Sequence, residues 1–196
     1  MAFLFGEPKL SKKELSECMV WLSKHYEFTM FQTREADLHN AALVEFQNSL
    51  LHNAALVESG NSLGTDSQDM RALLRAGHRE VQASTEIISR MESMESVPEA
   101  ASALHREWLV MMASHKLYAK ARYALYKSTE KGMEPDQDSV YRHSQALEDN
   151  RRKAQKEENK LLKRMVNSGA DMRDMQKLIV NAERAVAAEN WQPSQD

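Results

Sequence analysis

Residues Leu38–Leu63 read LHNAALVEFQNSL followed at once by LHNAALVESGNSL, one thirteen-residue phrase written twice with differences only at Phe46/Ser59 and Gln47/Gly60. On an α-helix each residue advances about 100°, so thirteen positions carry the second copy about 220° around the axis from the first. Leu38, Ala42 and Phe46 then point one way and Leu51, Ala54 and Ala55 the other. A straight helix with apolar residues on two sides needs cover on both. A second copy of the chain is the natural cover, which makes these residues the expected dimer interface of a homodimer. The alternative is a tolerated repeat, recent or engineered, in which Ser59-Gly60 breaks the helix.

The rest of the chain uses the same helical vocabulary. Its 196 residues include six Gly and four Pro, and it is rich in Ala, Leu, Glu, Lys, Arg, Gln and Met, which lose little freedom in a helix. The expected fold class is therefore all-α. The single Cys18 leaves no internal disulfide framework. The apolar opening Met1–Phe5 meets Glu7 too soon for a secretory signal. The longest apolar run, Trp108–Ala113, falls far short of the roughly 20 residues needed to cross a bilayer. These features lead us to expect a soluble, cytoplasmic protein, able at most to sit peripherally on a membrane.

Capping boxes mark the helix starts: Ser11–Glu14, Thr65–Gln68, and Ser96–Glu99 with Pro98 in its first turn. A further start is expected near Pro135–Asp136. Glycine stops fall at Gly60–Gly64 and near Gly132. These signals predict helices over 11–62, 66–94, 97–131 and 137–191, in a single elongated domain spanning 11–192 between an apolar tail (1–10) and a short C-terminal tail (193–196). The first and last helices would each reach about 80 Å, and the second and third laid end to end somewhat more. The expected architecture is an elongated antiparallel bundle of three long rods, the middle one kinked near Pro98. A compact four-helix bundle, built from the middle helices and halves of the outer two, is the competing arrangement.

In the third segment Trp108, Met112, Ala119, Tyr123 and Tyr126 share a narrow helical arc, read as a core stripe. The fourth carries Val140, Leu147, Ala154 and Leu161 at seven-residue spacing, then Met172, Met175, Ile179, Ala182 and Val186 in threes and fours, the grammar of a coiled coil. A step near Gly169 shifts that seam and is expected to bend the rod.

Enzyme chemistry finds few footholds. No Glu has a His three residues later, as bundle di-iron sites require. The histidines His25, His39, His52, His78, His105, His115 and His143 are scattered, and read as surface or satisfied core imidazoles. One cysteine gives no zinc framework, and no glycine-rich loop precedes a phosphate-binding Lys. The chain is thus expected to be non-catalytic, without metal, cofactor or small-molecule substrate.

Charge is unevenly divided beneath a net −3. Residues 1–100 hold nine Lys/Arg against fifteen Asp/Glu, whereas 115–165 hold thirteen against eight. Lys116, Lys120, Lys127 and Lys131 share one helical arc, and Arg152, Lys156, Lys160 and Lys163 another. Both rows are expected to converge on a hairpin tip that meets an anionic phospholipid membrane or an acidic protein, each cation adding about 1 kcal/mol at a bilayer. Interleaved Asp149, Glu157 and Glu158 argue against nucleic acid. Phe3, Leu4 and Phe5 are expected first to dock on the bundle's own core; the alternative is an apolar membrane wedge, for which the basic surface is the second signal such an anchor needs.

Long helices, a kinked middle segment, a suspected dimer and a basic hairpin resemble the BAR domain, particularly that of sorting nexins, over roughly Leu10–Trp191. The likeness includes the rhythm of FQNSLLHNAALVESGNSLG and ALEDNRRKAQKEENKLLKRM. It rests on pattern, without a signature motif, and an acidic overall charge and the in-frame repeat depart from it. What the resemblance implies is a crescent-shaped dimeric scaffold that senses or bends anionic membranes. The second expectation is a coiled-coil adaptor or assembly subunit for an acidic protein partner.

Overall fold

Glu14 Oε2 accepts from Ser11 N at 2.7 Å and Ser11 Oγ accepts from Glu14 N at 3.2 Å, closing the expected capping box. It starts α1 (Lys12–Glu58). The computed structural model describes residues 8–58 and 67–188. Phe3, Leu4 and Phe5, the side chains of Ala54 and Ala55, the Gly60–Gly64 stop and the Thr65 end of the second capping box lie outside the described residues. Beyond α1 come α2 (Ser67–Glu92), a 3₁₀ turn (Glu99–Ala101), α3 (Ser102–Glu130), α4 (Gln137–Asn167) and α5 (Met172–Ala188). The described residues are all-helical, without a strand.

Two expected boundaries are corrected. The Ser96 box does not form. The chain turns after α2 and restarts through a 3₁₀ turn in which Ala101 N donates to Pro98 O at 2.9 Å. The fourth segment is two helices. At Gly169, with φ of +100°, Ala170 N donates to Met165 O and Gly169 N to Val166 O, a Schellman stop. Asp171 Oδ1 then accepts from Arg173 N at 2.8 Å and begins α5. The same motif at Gly132 (φ +65°) ends α3 as expected, with Met133 N donating to Ser128 O. Asp136 caps α4 through Ser139 N at 2.9 Å.

The chain reversal at Ser93–Pro98 replaces the kinked middle rod with a hairpin. Ser84 lies beside His115, and Glu80 beside both His115 and Arg122, so α2 and α3 run antiparallel, side by side. The pairs His39–Glu80 and Ser84–Gln32 set α1 antiparallel to α2, and Asn150–Ser114 sets α4 antiparallel to α3. Helices α1 to α4 thus form an up-and-down bundle. Close backbone packing joins α1 to α2, α2 to α3, α3 to α4 and α1 to α5. On the remaining side, α1 and α4 meet through long side chains, as where Tyr26 Oη donates to Glu158 at 3.0 Å. Arg34 Nη1, donating to Val186 O at 3.1 Å, ties the far end of α5 to α1.

The seam of α1 repeats in threes and fours, through Cys18, Trp21, His25, Phe28, Gln32, Glu35, His39, Ala42 and Phe46, each buried or half-buried. The matching seam of α2 is Leu73, Gly77, Glu80, Ser84, Ile87 and Met91, all buried. One half of the bundle is apolar: Cys18, Trp21, Leu22, Ile87, Met91, Leu104, Leu161 and Met165 belong to one contiguous core. Carrying the His39–Glu80 register along both helices brings Ser67 level with about His52. The first copy of the repeat therefore lies within the bundle, and the last described turns of α1, residues 51–58, run beyond the described start of α2. Ala42 and Phe46 are half-buried, Leu38 is exposed, and Leu51 is 70% exposed.

Candidate functional site

The two basic rows do not meet at a tip. The Asn150–Ser114 hydrogen bond (2.8 Å) places Arg152 level with the middle of α3 and Lys163 near its start, whereas Lys127 and Lys131 lie at the opposite end, by the α3–α4 turn. That turn also exposes Glu130, Glu134, Asp136 and Asp138, so its charge is predominantly acidic. The α3 lysines are further subdued: Lys127 Nζ sits 5.8 Å from the centre of the Tyr123 ring, and Lys116 is half-buried. The two rows stand apart because Arg152 lies about four helical turns from the start of α4.

The α4 row stays coherent. Arg152, Lys156, Lys160 and Lys163, with Gln155 and Asn159, line one shallow surface depression. Two of the cations have neighbours, Arg152 with Glu148 at 3.1 Å and Lys160 with Glu157 at 2.6 Å, exposed pairs that hold little energy. At the Lys163 end, Arg164 Nε donates to Pro8 O at 2.9 Å and Ser168 Oγ accepts from Leu10 N at 2.8 Å. The start of the described chain is thereby fixed against this end of α4.

A second concentration of polar groups, which sequence reading passed over, lies inside the bundle. Glu80 is 0% exposed. Its Oε2 takes the His39 Nδ1 hydrogen bond and stands 3.9 Å from Arg122 Nη1, and its Oε1 is 3.5 Å from His115 Nε2. Ser84 Oγ, donating to Gln32 Oε1 or to Glu80 O, continues the network, and Arg122 Nη2 donates to Asn40 Oδ1 at 2.9 Å. One turn before His39, buried Glu35 pairs with Arg34 (3.2 Å) and Arg79 (3.3 Å). Burial holds the His115 imidazole below its ordinary range. Nearer the apolar half, His25 Nε2 and His105 Nδ1 are 3.2 Å apart, and burial, with His105 alongside, pushes His25 down to about 3. The signal that could have exposed the network is Gly77, three residues before Glu80 on the same face of α2. A Cβ there would meet the His39 ring at 3.3 Å, and a mid-helix glycine is the mark of such an approach.

Beside this network, where α1 and α4 stand apart, lies a cavity of about 380 Å³ walled by α1, α3 and α4. Among the described residues, no group of His, Cys, Asp and Glu side chains is arranged to hold a metal ion, and no helix is long and apolar enough to cross a membrane. Burial raises the Cys18 thiol, which favours its protonated form. Comparison with protein-family models, curated proteins and solved structures finds no match to this chain.

Proposed function

We propose that the protein is a non-catalytic helical scaffold that docks on anionic membranes through the exposed α4 row, Arg152, Lys156, Lys160 and Lys163, and the N-terminal segment Phe3–Phe5. The carrying observation is the exposed α4 row itself, Arg152, Lys156, Lys160 and Lys163 lining one depression, with Pro8 held by Arg164 at its Lys163 end. In this proposal Phe3, Leu4 and Phe5, which precede Pro8 in the sequence, act as the second signal beside the basic row. Neither signal alone gives firm attachment, because a short apolar segment and a few cations are each marginal and become useful together. The scaffold pairs through the part of α1 that outruns the bundle, where Leu50 and Leu51 are exposed.

Co-sedimentation with phosphatidylserine-containing and neutral phosphatidylcholine vesicles, at low and high salt, tests the reading. The protein should pellet with the anionic vesicles alone, and less as salt shortens the Debye length from about 10 Å at 0.1 M. Failure to pellet at low salt would overturn it in favour of an adaptor whose α4 row meets an acidic protein.

A further inference from the structure

Independently of the membrane face, the cavity between α1, α3 and α4 has the features of a ligand site. It encloses about 380 Å³, within the range of small-molecule pockets. Its apolar walls include Trp108, Met111, Met112 and Leu147. Methionine side chains adapt readily to the shape of what they contact. Gln32 also lines it and is 5% exposed. Gln32 Oε1 accepts from Ser84 Oγ at 3.1 Å, yet Gln32 Nε2 is buried without a partner. Trp108 Nε1 is likewise buried and unpartnered. A buried donor left unmade costs about 1–3 kcal/mol, so the Gln32 amide, on a residue that lines the cavity, calls for an acceptor. Arg151, also on the wall, supplies a cation among exposed residues.

We propose that this cavity binds a small, flat molecule whose apolar body lies against Trp108, Met111 and Met112 and whose carbonyl or carboxylate oxygen accepts from Gln32 Nε2. Asp37 and Glu158 share the wall, and Glu158 is already engaged by Tyr26 and Gln155. The acceptor end therefore belongs at Gln32. The site goes against the expectation that the chain takes no small molecule.

Benzamide, benzoate and toluene are the probes, titrated to about 10 mM against isotope-labelled full-length protein, a range that reveals millimolar binding. Benzamide or benzoate should shift the Gln32 side-chain amide signals. Gln32→Leu, which removes the donor and keeps the volume, should weaken either by about tenfold while leaving toluene unaffected, since a lost hydrogen bond of ordinary strength is worth about that factor. Ala36→Phe fills the cavity from α1 without touching the polar network, and should abolish binding of every probe. Benzoate binding more tightly than benzamide, with the advantage lost in Arg151→Ala, would identify a carboxylate ligand; equal binding would identify a neutral carbonyl. Absence of any shift at Gln32, or unchanged benzamide affinity in Gln32→Leu or Ala36→Phe, would overturn the proposal and leave a cavity that holds only water.

Discussion

Glu80 is enclosed by His39, His115 and Arg122 and has no exposure of its own. A carboxylate so placed is bound to its surroundings by necessity, because removing it strands Arg122, itself buried, without its counter-charge. Glu80→Ala should therefore lower stability by about 3–5 kcal/mol. Urea denaturation measures the loss, and a change below about 1 kcal/mol would mean the network is not load-sharing with the core. A triple change of His39 and Glu80 to Leu and Arg122 to Met should recover part of the loss, since apolar groups of similar size often replace a whole buried ionic cluster without penalty. The same residues explain what sequence reading saw and missed. The α1 seam keeps a strict three-four rhythm, but His25, Gln32, Glu35 and His39 occupy it, so a search for apolar residues at helical spacing passes over it. The Leu-rich repeat is more conspicuous in sequence, although its Leu38 and Leu51 are exposed.

At the scale of elements, boundaries governed by local chemistry were legible and those governed by packing were not. Ser11–Glu14, Asp136 and Gly132 act where their sequence places them, because a cap needs only its own turn. The side-by-side pairing of α2 with α3 depends on partners far along the chain, and no local signal distinguishes a kink from a reversal at Ser93–Pro98. Gly169 shows the intermediate case: the seam shift was visible, but the full stop comes from a left-handed backbone at φ +100°. Gly169→Ala should cost about 1–2 kcal/mol there, readable in thermal melts; no change would mean that α4 runs on into α5. The repeat makes a sharper forecast. Its second copy starts about level with the first described turn of α2, so deleting Leu51–Leu63 joins Leu50 to Gly64 and leaves three residues before Ser67, an ordinary connection between antiparallel helices. The deleted chain should melt within about 4 °C of the parent, a change worth at most about 2 kcal/mol. It should also elute as a monomer, having lost the projecting part of α1. Unfolding on deletion would show that the second copy is part of the core.

For the whole molecule, the buried imidazoles set a pH dependence of definite sign. An imidazole in the unfolded chain titrates near 6.5, and His25 in the bundle near 3. Above pH 6.5 both forms are neutral and stability is full. As the pH falls below that, the unfolded chain takes up a proton that the folded one refuses, and the loss grows to the order of 4 kcal/mol by pH 3. His105 and His115, both lowered by burial, act in the same direction. Glu158, raised by burial, opposes them, since folding costs less once it is protonated. The melting temperature should hold between pH 7 and 8 and decline steadily below 6.5; a flat profile down to pH 4 would mean that these imidazoles are hydrated.

The membrane reading rests on which basic row is used, and the bundle separates the rows along the α3–α4 hairpin. The decisive comparison is vesicle co-sedimentation of Lys156→Glu/Lys160→Glu/Lys163→Glu against Lys127→Glu/Lys131→Glu, both on phosphatidylserine-containing vesicles at low salt. Each cation near an anionic bilayer adds about 1 kcal/mol, so the α4 triple reversal should reduce binding by more than a hundredfold while the α3 pair binds like the parent. Equal losses from the two variants, or none from the triple, would place the docking face somewhere other than α4.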